Sequence, residues 1–318
     1  MKILVVLPNW LGDAVMATPA IELLCEKYKD VKLTFVGSFV AIEALKYHPK
    51  CEAFFIDETK KESNRFLATY KLAKKLGSFD LGVTFRNQLH SSLLLFFSSS
   101  TTTIAKKSWH ASLFVNKTVK ELQNSHLVEK YAHIVSETKP SSLKLYIEAK
   151  KSDKPLLGIN AGATYGSAKR WSSDRFAEVA VHFSDRYNIV LFGGPNEVEI
   201  VNEIQKLINT SGVKNVTNLA GKTTIKELCE NIASLDLFVT NDSGPMHVAA
   251  AYQIPTLSIF GPTKFKETSQ WMNPKGTIVR HDIECSPCMK RECPIKTHEC
   301  MVGINSTEVI EVIEKELL

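Results

Sequence analysis

Short apolar runs alternate with stretches of helical spacing from the first residues onward. Residues 3–7, 32–36, 53–56, 81–85 and 102–105 have the length and continuity of buried strands. Between the first two, residues 14–28 set Val15, Thr18, Ile21, Leu24 and Cys25 at helical spacing, which predicts one helix. A second series starts at Pro155, with strands predicted at 156–160, 189–192, 235–240, 256–260 and 277–280. Helical patterns at 175–187, 198–208 and 225–233 separate them. Strands and helices alternating through short connections predict an α/β chain of doubly wound parallel sheets. At 318 residues the chain exceeds a typical single core, so two domains are expected. The polar run Lys150-Lys151-Ser152-Asp153-Lys154-Pro155 reads as their linker, dividing the chain into 1–150 and 151–318. Residues 306–318 form an amphipathic last helix, with the N-terminal domain as one surface it could pack back on. Two such domains would place a cleft between them, at the C-terminal ends of both sheets.

Composition narrows the class. The chain is 44% hydrophobic and 23% charged, as ordinary globular proteins are, with a net charge of +5. Lysine pairs at 60–61, 74–75, 106–107 and 150–151 suit anionic substrates or a membrane face, although any one pair alone reads as solvated surface. No aromatic-interleaved basic strand or recognition-helix pattern points to nucleic acid. The N-terminal apolar run stops at Pro8-Asn9, short of a signal peptide, and no stretch approaches the ~20 residues that span a bilayer. A cytoplasmic protein, soluble or peripheral at a membrane, is expected. Cys25, Cys51 and Cys229 sit among apolar neighbours and read as packing residues. Cys285, Cys288, Cys293 and Cys300 cluster, with a C-x-x-C start; in a cytosolic chain this favours a metal over disulfides, and makes them candidate ligands of a structural zinc.

Chemistry concentrates where predicted strands end. Asn241-Asp242-Ser243-Gly244-Pro245-Met246-His247 runs from an apolar strand into an Ala-rich helix. Free N–H groups at such a helix start favour an anion, including a pyrophosphate. Ser243 can cap the helix or donate to phosphate, and Gly244 lets a ligand approach the backbone. The loop 160–171 is small and polar and ends in Lys169-Arg170-Trp171. It can wrap a pyrophosphate, with Thr164 as hydroxyl donor and Lys169 as a mobile point charge, or be a surface turn with a basic pair. Glu197, after Phe192-Gly193-Gly194, can accept both hydroxyls of a ribose or be an ordinary first-turn acid. In the first loop, Asn9-Trp10-Leu11-Gly12-Asp13, the aspartate reads as a helix cap or as a catalytic base facing the expected cleft. Gly12 is the only glycine there, which disfavours a dinucleotide fingerprint and an NAD-dependent oxidoreductase. The Ala220-Gly221-Lys222-Thr223 decoy lacks the first Walker glycine, since position 216 is Val216.

Taken together, Gly12-Asp13 with Thr18-Pro19, Arg86-Asn87, Gly166-x-x-Lys169-Arg170-Trp171, Leu219-Ala220-Gly221 and Asn241-Asp242-Ser243-Gly244-x-Met246-His247 resemble the ADP-heptose:lipopolysaccharide heptosyltransferases, glycosyltransferase family 9. The resemblance covers nearly the whole chain and is greatest to the heptosyltransferase II branch. It implies the GT-B architecture of two Rossmann-like domains and metal-free inversion at the anomeric carbon. Asp13 would be the general base. Lys169, Thr164, Ser243, Gly244 and the helix carrying His247 would hold the ADP pyrophosphate, and Asp242 the donor sugar. Glu197 would take the ribose, and the backbone around residues 219–223, Gly221 included, the adenine. Tyr165 stands where some relatives have a second threonine, so its phenol would replace that phosphate donor. Asn9 and Gly12, with Arg86, Asn87 and His90, would face the acceptor. The implied partners are ADP-L-glycero-D-manno-heptose and a lipid-anchored inner-core lipopolysaccharide at the cytoplasmic face of the inner membrane. Residues 93–97 read as a bilayer contact or as a buried helix. Two other readings stay open: a member with a different acceptor, such as heptosyltransferase I, and a nucleotide-binding module without turnover.

Overall fold

The computed structural model describes every residue except Lys150 and Lys151. The first part of the expected linker therefore lies outside the described residues. The chain divides into two compact units, Met1–Tyr146 and Ile147–Leu318.

Each unit is built on a six-stranded parallel sheet. The first holds β1 (Lys2–Val6), β2 (Lys32–Gly37), β3 (Cys51–Ile56), β4 (Ser78–Thr84), β5 (Ser99–Lys106) and β6 (Lys117–Val119), in the order β3-β2-β1-β4-β5-β6. The second holds β7 (Leu156–Asn160), β8 (Asn188–Phe192), β9 (Val216–Asn218), β10 (Leu237–Asn241), β11 (Thr256–Ile259) and β12 (Gly276–Val279), in the order β12-β11-β10-β7-β8-β9. Numbered within its own unit, each sheet has the same order, 3-2-1-4-5-6. The winding reverses between β1 and β4 in one and between β7 and β10 in the other. Such a reversal opens a crevice beyond the carboxyl ends of the two strands, where open α/β sheets bind ligands. The expected architecture of two doubly wound parallel-sheet units is what the chain adopts.

The central strands carry unbroken apolar runs because helices cover both faces. Ile3, Leu4, Val5 and Val6 are fully buried, as are Leu237, Phe238 and Val239. Each such side chain contributes about 1.5–3 kcal/mol by leaving water. The edge strands β6 and β9 are short and half-exposed, and no apolar run announced them.

One expectation changes, and two open readings are narrowed. Residues 14–28 form two helices, Leu11–Met16 and Thr18–Lys27, not one. Pro19 has no N–H to give to the Val15 carbonyl, and the Thr18 hydroxyl donates to it instead, at 2.7 Å. The last helix, Ser306–Glu316, buries Val309 and Ile313 in the core of the second unit, where its apolar stripe meets the helix Ser173–Phe183. Finally, residues 93–97 end a helix (Leu89–Phe97) with Leu93, Leu94 and Leu95 buried, while Phe96 is exposed. The buried reading holds for most of that run. Among the described residues no helix is long and apolar enough to cross a membrane.

Candidate functional site

At the switch point of the second unit, the loops after β7 and β10 are joined by buried amides. Asn160 Nδ2 donates to Thr240 Oγ1 and Ser243 Oγ, both at 3.0 Å. Asn241 Nδ2 donates to the Ala161 carbonyl at 2.7 Å, and its Oδ1 accepts the Trp171 N–H at 3.1 Å. Trp171 itself is 1% exposed, with its indole N–H donating to the Ile304 carbonyl at 2.9 Å. These bonds satisfy polar groups that would each cost about 1–3 kcal/mol if left buried and unpaired. They also fix both ends of the loop that carries Lys169.

Lys169 is pinned rather than loose. Its ammonium lies 2.6 Å from Asp242 Oδ2, donates to the Asp242 carbonyl at 3.3 Å, and sits 4.8 Å from the centre of the Tyr165 ring. Asp242 is buried and also accepts the Thr263 hydroxyl at 2.5 Å. A lysine ammonium has three donors, and two are committed here, so a third is left for a ligand. The helix Gly244–Ala251 starts beside this pair, with Ser243 at its N-cap. Ser243 makes no capping bond; its hydroxyl serves Asn160 instead, because the amide reaches it first across the switch point. His247 is buried in the same helix. Thr164 is exposed. The Tyr165 phenol donates to the Met289 carbonyl at 2.8 Å, so here it braces a neighbouring segment rather than offering a phosphate donor.

Glu197 is 7% exposed and packs against the loop after β7. Its Oε2 accepts the Gly194 N–H at 2.8 Å, while its Oε1 is buried without a partner among the described residues. A Cβ on Gly162 would fall 2.0 Å from Oε2, so a side chain there would displace the carboxylate from this position. Gly221 donates its N–H to the Gly193 carbonyl at 2.9 Å, tying the loop after β9 to the loop after β8.

In the first unit the switch point lies between the loops after β1 and β4. Asp13 lies in the first turn of the helix Leu11–Met16, but the N-cap is Trp10, so the aspartate does not hold the capping position. It is half-buried and near Tyr131, whose phenol is pushed well above its ordinary value by burial, and further by the Asp13 and Glu121 carboxylates. Asn9 gives its carbonyl to the Ser38 hydroxyl at 2.7 Å, and Gly12 is buried.

Arg86 departs most from an exposed acceptor contact. It is buried, with its Nε donating to the Leu7 carbonyl at 2.5 Å and its Nη1 paired with Asp57 Oδ2 at 2.5 Å. The loop after β4 turns it inward, where the end of β1 and the Asp57 carboxylate together offset its burial. Burial works against the Asp57 charge, but the bonds from Thr59 and Arg86 outweigh it and hold the carboxyl below the usual range. Arg86 Nη2, Arg65 Nε and His90 Nδ1 are buried with no partner among the described residues. Burial and then Arg65 push the His90 imidazole down, against the pull of Asp57. Asn87 is exposed. Asp57 and Arg65 escaped the sequence reading because they lie on other segments, with no local motif.

The four clustered cysteines surround one small cavity, with His298 and Ala168 also in its wall. Cys300 is buried, Cys288 and Cys293 are half-buried, and Cys285 is exposed. Burial, and then the other three thiols, push the Cys300 thiol up to about 11. Of the scattered cysteines, Cys229 is buried, while Cys25 and Cys51 are half-buried.

Comparisons with known proteins follow the same lines. The chain is 40% identical to lipooligosaccharide heptosyltransferase 2 of Campylobacter jejuni (serotype O:6), over 99% of both chains. It is 27% identical to lipopolysaccharide heptosyltransferase 2 of Escherichia coli K12, covering 100% of this chain and 99% of that one. The structure of the E. coli ADP-heptose lipopolysaccharide heptosyltransferase II superposes with a TM-score of 0.83 at 25% identity, covering 100% of this chain and 98% of that one. Residues 69–298 match glycosyltransferase family 9 (heptosyltransferase). On that match and those identities, the chain belongs to glycosyltransferase family 9, the heptosyltransferases.

Proposed function

We propose that the protein transfers L-glycero-D-manno-heptose from ADP-heptose to the first heptose of the lipopolysaccharide inner core, with inversion. The observation that carries this reading is the Lys169–Asp242 pair at the start of the helix Gly244–Ala251, together with the Glu197 Oε1 that has no partner among the described residues. A fixed cation at a helix N-terminus suits a pyrophosphate, and a buried carboxylate oxygen awaiting a donor suits a ribose hydroxyl. Thr164, Ser243 and Gly244 add donors to the phosphates. Asp242 turns toward sugar hydroxyls, and the loop at Gly221 takes the base.

Asp13 accepts the proton of the acceptor hydroxyl as that oxygen bonds to the anomeric carbon. The bond from that carbon to the β-phosphate oxygen breaks, and its electron pair leaves with ADP. Lys169 and the helix start stabilise that charge, the task a divalent cation performs in other transferases. Arg65, Arg86 and His90, each with a buried nitrogen lacking a partner, would attract an anionic group of the acceptor, with Asn87 and Asn9 beside them. The protein would work at the cytoplasmic face of the inner membrane. The lysines at 60, 61, 74, 75 and 107 are exposed, although Lys61 pairs with Glu58 and half-buried Lys106 with Glu121.

The deciding experiment is a mass-spectrometric transfer assay with ADP-heptose and a panel of truncated core acceptors. Addition of one heptose to an acceptor already bearing the first heptose is expected. Transfer only to a heptose-free acceptor would replace this assignment with the heptosyltransferase I reaction. No transfer to any acceptor, with ADP still bound, would favour a nucleotide-binding module.

A further inference from the structure

Residues 280–298, between β12 and the helix Glu299–Val302, contain no helix or strand and no buried side chain. So long an irregular run without a core of its own is uncommon in a compact domain unless something else organises it. What this run possesses is sulfur. Cys285, Cys288 and Cys293 lie within it, Cys300 follows on the next helix, and all four line the same small cavity.

The same run grips the loop that carries Lys169. The Ala168 N–H donates to the Arg291 carbonyl at 3.0 Å, and His298 Nε2 meets the Ala168 carbonyl at 2.8 Å. The Tyr165 phenol donates to the Met289 carbonyl. A Cβ on Gly166 would fall 2.2 Å from the Arg291 carbonyl oxygen, so the two backbones are in direct contact. Met289 and Arg291 lie between Cys288 and Cys293, and His298 lies between Cys293 and Cys300. Each grip on the loop is thus bracketed by two of the cysteines.

We propose that Cys285, Cys288, Cys293 and Cys300 bind one thiophilic metal ion, zinc or iron, and that the closed site positions the loop bearing Lys169. Four sulfur donors, with C-x-x-C at the start, form the closed tetrahedral set of a structural site. His298 is excluded as a ligand at Nε2, which is occupied by Ala168. Among the described residues no three His, Cys, Asp or Glu side chains are set to hold an ion as they stand. Closure takes rotation of the cysteine side chains about a cavity they already share. Each thiol gives its proton to solvent as its sulfur bonds the metal. The ion-binding half stands on these residues alone; the positioning half rests on Lys169 meeting the donor phosphates.

The test uses the full chain purified under reducing conditions without chelator. Elemental analysis is expected to find about one zinc or iron per chain. The ion should be absent from Cys288→Ser and Cys293→Ser, and retained in Cys51→Ser. Calorimetry should show ADP affinity falling about tenfold or more when the ion is stripped, an effect of the size that supporting shells have. Acceptor KM should stay unchanged, and tryptic cleavage at Lys290, Arg291 or Lys296 should accelerate. If the cysteine variants fail to fold, stripping and reloading the wild type provides the same comparison. Neither zinc nor iron after purification and anaerobic loading would overturn the site. An ion whose removal changes neither ADP affinity nor cleavage would overturn the positioning role. If ADP binds neither form, the donor reading fails, while metal content and cleavage still decide the site.

Discussion

At the switch point of the second sheet, Asn160, Thr240, Asn241 and Ser243 are hydrogen-bonded among themselves and to the backbone, and the one cation among them, Lys169, is paired with Asp242. At the switch point of the first sheet, a single carboxylate, Asp57, faces Arg86, while nitrogens of Arg86, Arg65 and His90 lack partners. The strand order is the same in both. Topology thus sets where each crevice opens, and the loops set what it holds. One crevice has its loops locked by internal bonds and keeps a single lysine donor and the Glu197 Oε1 acceptor open, which suits a fixed leaving group. The other keeps unspent donors, which suits a variable anionic partner.

The largest way to break this contrast is at Asp13. Asp13→Asn is expected to lower turnover ~10²–10⁴-fold, as loss of a general base does, with ADP affinity unchanged by calorimetry. Wild-type rates would remove Asp13 from the chemistry. Next comes the buried pair. Asp57→Ala leaves Arg86 charged, buried and unpaired, and should destabilise the fold by about 3–5 kcal/mol in urea unfolding. The sign of its pH dependence follows from the depressed Asp57 carboxyl. This contribution is fully present above the ordinary carboxylate range and is lost as pH falls through the lowered value. Wild type should therefore lose stability in acid more steeply than Asp57→Asn.

Lys169 sharpens the comparison from the other side. Lys169→Ala should raise donor KM by roughly 10–100-fold, the weight of a charged hydrogen bond, with acceptor KM little changed. Lys169→Arg should not fully restore it, because a larger, planar guanidinium does not reproduce the compact ammonium held at Asp242 and over Tyr165. A melting curve must accompany both, since Asp242 loses its partner. An unchanged donor KM would make the pair purely structural. The smallest expected effect is none: adding or omitting Mg²⁺ should leave initial rates alone, and a magnesium requirement would contradict Lys169 as the leaving-group cation.

Ten strands were legible as apolar runs, continuous in the central ones because both faces are buried, and the edges β3 and β12 were among the ten. β6 and β9 were not, since a three-residue half-exposed edge needs no such run. The break at Ala17 was written in Pro19 and overlooked beneath the helical spacing. Site legibility followed distance along the chain. Strand-end loops rich in Gly, Ser and Asp advertised Lys169, Asp242 and Glu197. The Thr263 that bonds Asp242, and the Asp57 that pairs with Arg86, come from other segments and carry no local signal. Asn160 and Asn241 could have been found as amides closing apolar strands, where a buried amide must bond across to something.

The fit of Gly162 against Glu197 reaches beyond this one chain. A methyl at 162 would overlap both carboxylate oxygens, at 2.0 and 2.5 Å. A side chain at 162 would therefore push the 197 carboxylate out of this position, and losing that acid would surrender the buried acceptor and the bond to Gly194. A change at either position is thus felt at the other. Relatives that keep the acid at 197 in this place should accordingly favour glycine at 162.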